Sequence, residues 1–192
     1  MARKGLTNEN IMAAATDLVN EKGYDNFSLR ELAARLSVKA PSLYNHIDGI
    51  NAINSAVAVT AAHRMGSALK EALMSGDDKE GSFLMVFTAY RDYAAENPEL
   101  YKAISRLPEL KDEKALEARR ICFQPIRDAV SLFITESSSA VHFYRAIRNY
   151  LHGFVSMEKR GYMQTSPLPS EESFQWAAQM FLKELKEAEA SE

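Results

Sequence analysis

Residues that break helices are scarce in this chain, and most of them stand between runs of apolar residues at helical spacing. Glycine and proline number 8 and 6 among 192 residues, well below an average usage of about 12%. Gly23, Gly76, Pro98, Pro108, Gly161 and the loop at residues 166–170 separate the runs. Such punctuation does not suit many short strands joined by turns. It predicts an all-α fold of about nine helices. Gly66, Pro125 and Gly153 fall inside predicted helices, so a kink or a close helix crossing is expected at each. With 46% apolar residues, a chain of this length buries a core without staples. Its single cysteine, Cys122, excludes a disulfide framework and a Cys-rich zinc site, and it suits a reducing compartment. No secretory signal is visible, and no apolar stretch approaches the ~20 residues of a membrane span. A cytoplasmic protein without a membrane partner is therefore expected.

The first fifty residues carry the densest signals. Ile11, Ala14, Ala15, Leu18 and Val19 recur on one helical face, with Thr7 as N-cap and Gly23 as a left-handed stop. Ser28 and Glu31 form a capping box, and Phe27 and Leu32 occupy the two positions of a hydrophobic staple. Both devices set the same register for a second helix. Ser37 and Val38 interrupt it after Leu36. A third short helix begins near Pro41, where proline is tolerated in the first turn, and Leu43, Tyr44 and Ile47 give it an apolar face. Helix, short helix, tight connection, short helix is the outline of a helix-turn-helix. A generic three-helix core has the same outline.

The residues themselves say more. Phe27-Ser28-Leu29-Arg30-Glu31-Leu32-Ala33-Ala34-Arg35-Leu36, followed by Val38-Lys39-Ala40-Pro41-Ser42-Leu43-Tyr44-Asn45-His46-Ile47, closely resembles the N-terminal domain of the TetR family of bacterial transcription regulators. The preceding helix, ending in Lys22-Gly23-Tyr24, also matches, and the resemblance covers residues 7–48. It implies that the third helix enters the major groove while the second helix and the start of the fourth brace phosphates. On this chain it places Ala40, Pro41, Ser42, Tyr44 and His46 on or near the groove-facing surface. Ser28 and Arg30 fall near the DNA backbone, and Lys39 is a candidate for phosphate or guanine. The chemistry suits those roles: Tyr, Ser and His donate to phosphate oxygens, and Ser, Pro or Ala carbons touch thymine methyls. Leu32, Leu36, Leu43 and Ile47 read as core. Tyr44 has core packing as its alternative, and His46 a solvent-exposed helix end.

This sequence departs from the family pattern twice. A lysine usually opens the fourth helix and contacts phosphate, whereas Asp48-Gly49-Ile50-Asn51 stands here. Weaker phosphate binding is expected at that corner, or compensation from Arg3 and Lys4. Ser37 stands where the family often has glycine, which asks a non-glycine residue to take the turn conformation.

A long helix is expected from Ile50 to about Met74, closed by residues 75–78; the resemblance makes it the link between a DNA-reading head and a helical body. Next comes a helix with Phe83, Val86, Phe87, Tyr90 and Ala94 on one face, then a short helix over residues 99–106 that stops at Pro108. Residues 111–135 form a helix kinked by Pro125, and residues 137–139 separate it from a helix carrying Phe143, Ile147, Tyr150, Phe154 and Met157. The last helix places Phe174, Ala177, Ala178, Phe181, Leu182 and Leu185 on one stripe, with an acidic tail expected to fray. Two amphipathic helices with a short connection form an antiparallel hairpin and offer a flank to a second copy, so Phe174, Phe181 and Leu185 are candidate dimer contacts; ordinary intrachain core is the alternative. The stretch Leu151-His152-Gly153-Phe154 resembles the Trp-His-Gly signature of one TetR C-terminal subfamily, with Leu151 in place of Trp.

Aromatic and methionine side chains in the body suit a small-molecule pocket with phenolic handles, or simply a core. Tyr90, Phe123, Tyr144 and His152 are the candidate ligand contacts, and Arg91, Arg145 and Arg148 are candidates for pairing with an acidic ligand. No nucleophile elbow, P-loop, dinucleotide fingerprint or metal-ligand spacing occurs, so neither an enzyme nor a cofactor is expected. The net charge of −3 argues weakly against nucleic acid until it is divided. Residues 1–46 hold 6 Lys+Arg and 5 Asp+Glu, so +1, and residues 47–192 hold 17 and 21, so −4. The expectation is therefore a DNA-binding domain at residues 1–48 and a ligand-binding, dimerising domain at residues 49–192. The dimer reads a palindromic operator as a repressor released by an apolar or aromatic ligand. The alternatives are regulation by a protein partner, or a helical interaction module whose head has lost DNA binding.

Overall fold

The computed structural model describes residues 6–110, 113–165 and 167–192. Among them are nine α-helices, one 3-10 turn and no strand, so the fold is all-α. The helices are α1 (Asn8–Lys22), α2 (Leu29–Arg35), α3 (Ala40–Leu43), α4 (Ile50–Ser75), α5 (Lys79–Glu96), α6 (Pro98–Ser105), α7 (Glu113–Ser131), α8 (Ser137–Lys159) and α9 (Ser170–Glu189). The 3-10 turn, Leu107–Glu109, lies between α6 and α7. No helix among the described residues is long and apolar enough to cross a membrane.

The chain forms two compact units. One groups the chain up to Arg64 with residues 97–120; the other groups residues 65–96 with residues 121–192. Helices α4 and α7 each contribute to both.

In the first unit the Thr7 hydroxyl caps α1 by accepting from the Asn10 amide at 3.2 Å. Ile11, Ala15, Leu18 and Val19 of α1 are buried, as are Leu32, Leu43, Val57 and Leu100 of the same unit. Helix α6 packs on α1: the Glu99 carboxylate accepts from the Tyr24 amide at 3.0 Å, and Lys102 pairs with Asp25 at 2.7 Å. Gly23 ends α1 with φ 96° and ψ 148°, not in the left-handed helical well. That extended mirror-image conformation is essentially a glycine preserve, and it leads the chain directly into the Tyr24–Glu99 bond.

The second unit packs α5, α8 and α9 together. Phe87 lies at its centre, 4.8 Å from the Phe174 ring and 5.9 Å from Tyr150, centroid to centroid. Arg91 of α5 forks onto Glu158 of α8 at 2.7 and 2.9 Å, also meets Glu171 of α9, and lies 4.9 Å over the Phe174 ring. Its guanidinium is thus taken up by the chain's own carboxylates, which removes Arg91 as a partner for an acidic ligand.

Helix α3 starts at Ala40 with Pro41 in its first turn, as the sequence predicts. Other boundaries differ from the sequence expectation. Residues 137–139 open α8 instead of separating it from α7, because the Glu136 carboxylate accepts from the amides of Ser138 (2.9 Å) and Ser139 (2.6 Å). Helix α9 holds to Glu189, and beyond it Glu192 accepts from the amides of Thr135 (2.9 Å) and Glu136 (2.8 Å). That carboxylate satisfies donors in the α7–α8 connection and ties the end of the tail to it. The expected starts at Lys111 and Ser166, and the basic Arg3 and Lys4, lie outside the described residues.

The three interior breakers behave differently. A Cβ on Gly66 would stand 2.9 Å from the Ile121 carbonyl oxygen and 3.1 Å from Cys122 Cα, so α4 crosses α7 backbone to backbone. Pro125 lies inside α7 and has no amide to give the Ile121 carbonyl four residues back, so the close crossing falls on the turn that proline loosens. A Cβ on Gly153 would meet nothing within 4 Å. The close packing expected there does not occur among the described residues.

Candidate nucleic-acid interface

The geometry of α2 and α3 is set by local chemistry. Ser28 Oγ accepts from the Glu31 amide at 3.3 Å, and Glu31 Oε2 accepts from the Ser28 amide at 2.9 Å. The capping box thereby satisfies donors at both ends of the first turn. Lys22 pairs with Glu31 at 2.5 Å and Arg35 with Glu21 at 2.8 Å, tying α2 to α1. The end of α2 is a Schellman closure: the Ser37 amide donates to the Ala34 carbonyl and the Val38 amide to the Ala33 carbonyl, both at 3.0 Å. Ser37 takes φ 55°, and no other non-glycine residue among those described has a positive φ. A serine therefore holds the turn where glycine is easier.

Helix α3 is one turn long. The His46 and Ile47 amides both donate to the Leu43 carbonyl, at 2.8 and 3.0 Å, and carry the chain out of it. Leu32 and Leu43 are fully buried beneath it, while Leu36 and Ile47 are half-buried. This footing turns the other positions outward. Tyr44 is 59% exposed, so its ring does not join the core. Ser28, Arg30, Lys39, Pro41 and His46 are exposed, and Ala40 and Ser42 are half-buried. The surface of α2 and α3 thus presents two cations, the Tyr44 hydroxyl besides that of Ser42, and an imidazole around a short helix, groups of the kind that meet phosphates and base edges; the Ser28 hydroxyl is spent within the capping box, donating to Glu31 Oε2 at 2.9 Å. At the next corner Asp48 and Asn51 are exposed, so an acid flanks this surface.

The candidates further along the chain are placed less uniformly. Tyr90 is 1% exposed, inside the second unit. Phe123 and Tyr144 are buried, with Arg148 stacked 4.1 Å from the Phe123 centroid and Arg127 4.4 Å from that of Tyr144. His152 is exposed on α8, yet partial burial of its ring and the nearby Arg148 pull its pKa below the ordinary value. In the first unit Val59, His63, Glu113, Leu116, Glu117 and Arg120 line a groove of about 660 Å³, which includes none of these four. Phe174 and Leu185 are fully buried in the chain's own core, and Phe181 is half-buried against Phe87 and Tyr150. Burial pushes the Cys122 thiol up to about 12, which leaves it inert at neutral pH. Arg127 escaped the sequence reading. The signal was present in the matched four-residue spacings Phe123–Arg127 and Tyr144–Arg148.

Residues 11–57 match the family model described as bacterial regulatory proteins of the tetR family, and residues 83–181 match the tetracyclin repressor-like C-terminal domain. The chain belongs to the TetR family. It is a transcriptional regulator with the TetR DNA-binding domain. It is 30% identical over 161 residues to an uncharacterized HTH-type transcriptional regulator of Mycobacterium tuberculosis, covering 82% of this chain and 72% of that one. It is 29% identical over 153 residues to the uncharacterized regulator YobS of Bacillus subtilis, covering 80% and 79%. Solved structures share the fold. A protein of unknown function from Rhodococcus sp. RHA1 superposes with a TM-score of 0.79 at 20% identity, over 95% of this chain and 96% of that one. The TetR family regulator PfmR of Thermus thermophilus gives 0.62 at 21%, over 90% and 97%.

Proposed function

We propose that this TetR-family regulator is a cytoplasmic repressor that binds a palindromic operator as a homodimer and leaves it when a small apolar or aromatic ligand occupies its body. Residues 1–48 read the DNA; residues 49–192 hold the ligand and the partner copy. The observation that carries the reading is the outward-facing set Ser28, Arg30, Lys39, Tyr44 and His46 around a buried Leu32–Leu43 footing. Ala40, Pro41 and Ser42 complete the groove-facing surface.

The dimer uses α8 and α9. Trp176 of α9 is 69% exposed, and on α8 Val141, Ala146 and Asn149 are exposed while the space beside Gly153 is open. Phe174 and Leu185 back that surface from beneath, and Phe181 lies at its edge. A dimer presents two heads about 34 Å apart to two major grooves on one face of the duplex. Tyr90, Phe123, Tyr144 and His152 are the proposed ligand contacts. The ligand acts through the long helix α4, and it must favour the released spacing over the bound one, since equal affinity for both shifts nothing.

Mobility shift with DNA from upstream of the coding region tests the head. Tyr44→Ala removes a hydroxyl and a ring that the fold does not need. It is expected to weaken binding about tenfold, the value of one good hydrogen bond, with an unchanged melting temperature. Equal binding by the variant contradicts the assignment.

A further inference from the structure

The seam between α7 and α8 in the second unit carries a reciprocal pairing. Phe123 and Arg127 are four residues apart on α7, and Tyr144 and Arg148 are four apart on α8. Each arginine lies over the aromatic ring of the other helix: Arg148 Cζ is 4.1 Å from the Phe123 centroid and Arg127 Cζ is 4.4 Å from that of Tyr144. One antiparallel register satisfies both pairs, and the two stacks follow each other by about one helical turn, roughly 6 Å along the axis.

Stacking uses the face of a guanidinium and leaves its N–H edge available. Four arginines of this chain have such edges filled by carboxylates: Arg35 meets Glu21, Arg91 meets Glu158, Arg106 meets Glu109 and Arg120 meets Glu117. No ion pair joins Arg127, Arg145 or Arg148 to a carboxylate among the described residues. The nearest acid in sequence, Asp128, accepts instead from Gln124 at 2.9 Å. Arg145 and His152 lie on the Arg148 side of α8, at spacings of three and four. Three arginines and an imidazole thus gather along one seam, two of the arginines over aromatic rings, and among the described residues none of the three arginines is in an ion pair.

We infer that Arg127 and Arg148 form an oxyanion site, flanked by Arg145 and His152, that receives the carboxylate or phosphate group of the effector. The inference rests on the proposed ligand-binding role of the body and narrows it: the effector is an acid, oriented by two pre-stacked guanidiniums whose rotamer freedom is already spent. Bidentate N–H pairs suit either oxyanion.

Calorimetric titration of the full chain with inorganic phosphate, and separately with benzoate, at constant ionic strength set with sodium chloride, tests this. The expected result is saturable binding of at least one probe, weakened about tenfold or more in the Arg127→Lys/Arg148→Lys double variant. Lysine keeps a cation over each ring, so the stack survives while the bidentate edge is lost. The stronger probe identifies carboxylate or phosphate. No heat beyond the chloride control in the unmodified chain overturns the site, as does unchanged affinity in the double variant. Upstream-DNA binding is measured on the same samples. Absent anion binding with DNA binding intact refutes this site alone, whereas absent DNA binding by the unmodified chain refutes the regulator reading.

Discussion

Asp48 is the residue at which this chain departs most from what its surface is otherwise built to do. It is exposed beside the α3 surface, at a corner where the proposed DNA reading would place phosphate. Replacing it with lysine removes one repulsion and adds one phosphate contact. Asp48→Lys is expected to raise DNA affinity and to steepen the slope of log K against log salt by about 0.9. A salt titration of binding checks it, and an unchanged slope would show that no phosphate passes this corner. The outward-facing side chains of α2 and α3 were legible in the sequence because the footing was. Leu32 and Leu43 had to be core, so their neighbours had to face outward. Tyr44 shows the limit of that logic. A tyrosine on a short apolar helix face suits either core or solvent, and only its 59% exposure decides.

At the scale of elements, the α2–α3 turn carries a measurable strain. Ser37 takes φ 55° in a Schellman closure, a conformation that costs a non-glycine residue about 1 kcal/mol or more. Ser37→Gly is expected to raise stability by about 0.5–1 kcal/mol, read from urea denaturation, after the entropy glycine gains in the unfolded chain is subtracted. The start of α8 depends on pH in a known direction. Hydrogen bonds from Ser138 and Ser139 hold the Glu136 carboxyl down to about 2, against an ordinary 4.5. A depressed acid stabilises the fold above its unfolded value and loses that contribution as pH falls through the folded one. The cap is therefore complete above pH 4.5 and is lost only as pH approaches 2. Amide exchange at Ser138 and Ser139 is expected to remain slow at about pH 4, between those two values, and Glu136→Gln to speed it there. Helix existence was legible from periodicity, and caps made of neighbouring residues were legible too, as Thr7 and Ser28 show. Contacts between residues far apart in sequence were not. Glu192 reaches back to Thr135, and Gly66 meets Ile121, with no local signal to announce either. Ser137 to Ser139 misled for a physical reason: serines favour helix starts and loops alike.

At the scale of the whole molecule, the charge of −3 conceals two parts. The near-neutral head holds little general attraction for DNA, so the proposed binding relies on two heads meeting two shape-matched grooves together. Phe174 and Leu185 illustrate why the partner surface was harder to read than the head. An amphipathic stripe records that a helix face is buried, but not whether its own chain or a second copy buries it. Both readings come down to one experiment, hydroxyl-radical footprinting of the full chain on DNA from upstream of its coding region at low salt. The account predicts two protected patches of like sequence, inverted relative to each other and centred about 10 base pairs or a multiple apart on one face of the duplex. Protection of one unpaired patch, or none at saturating protein, would contradict it.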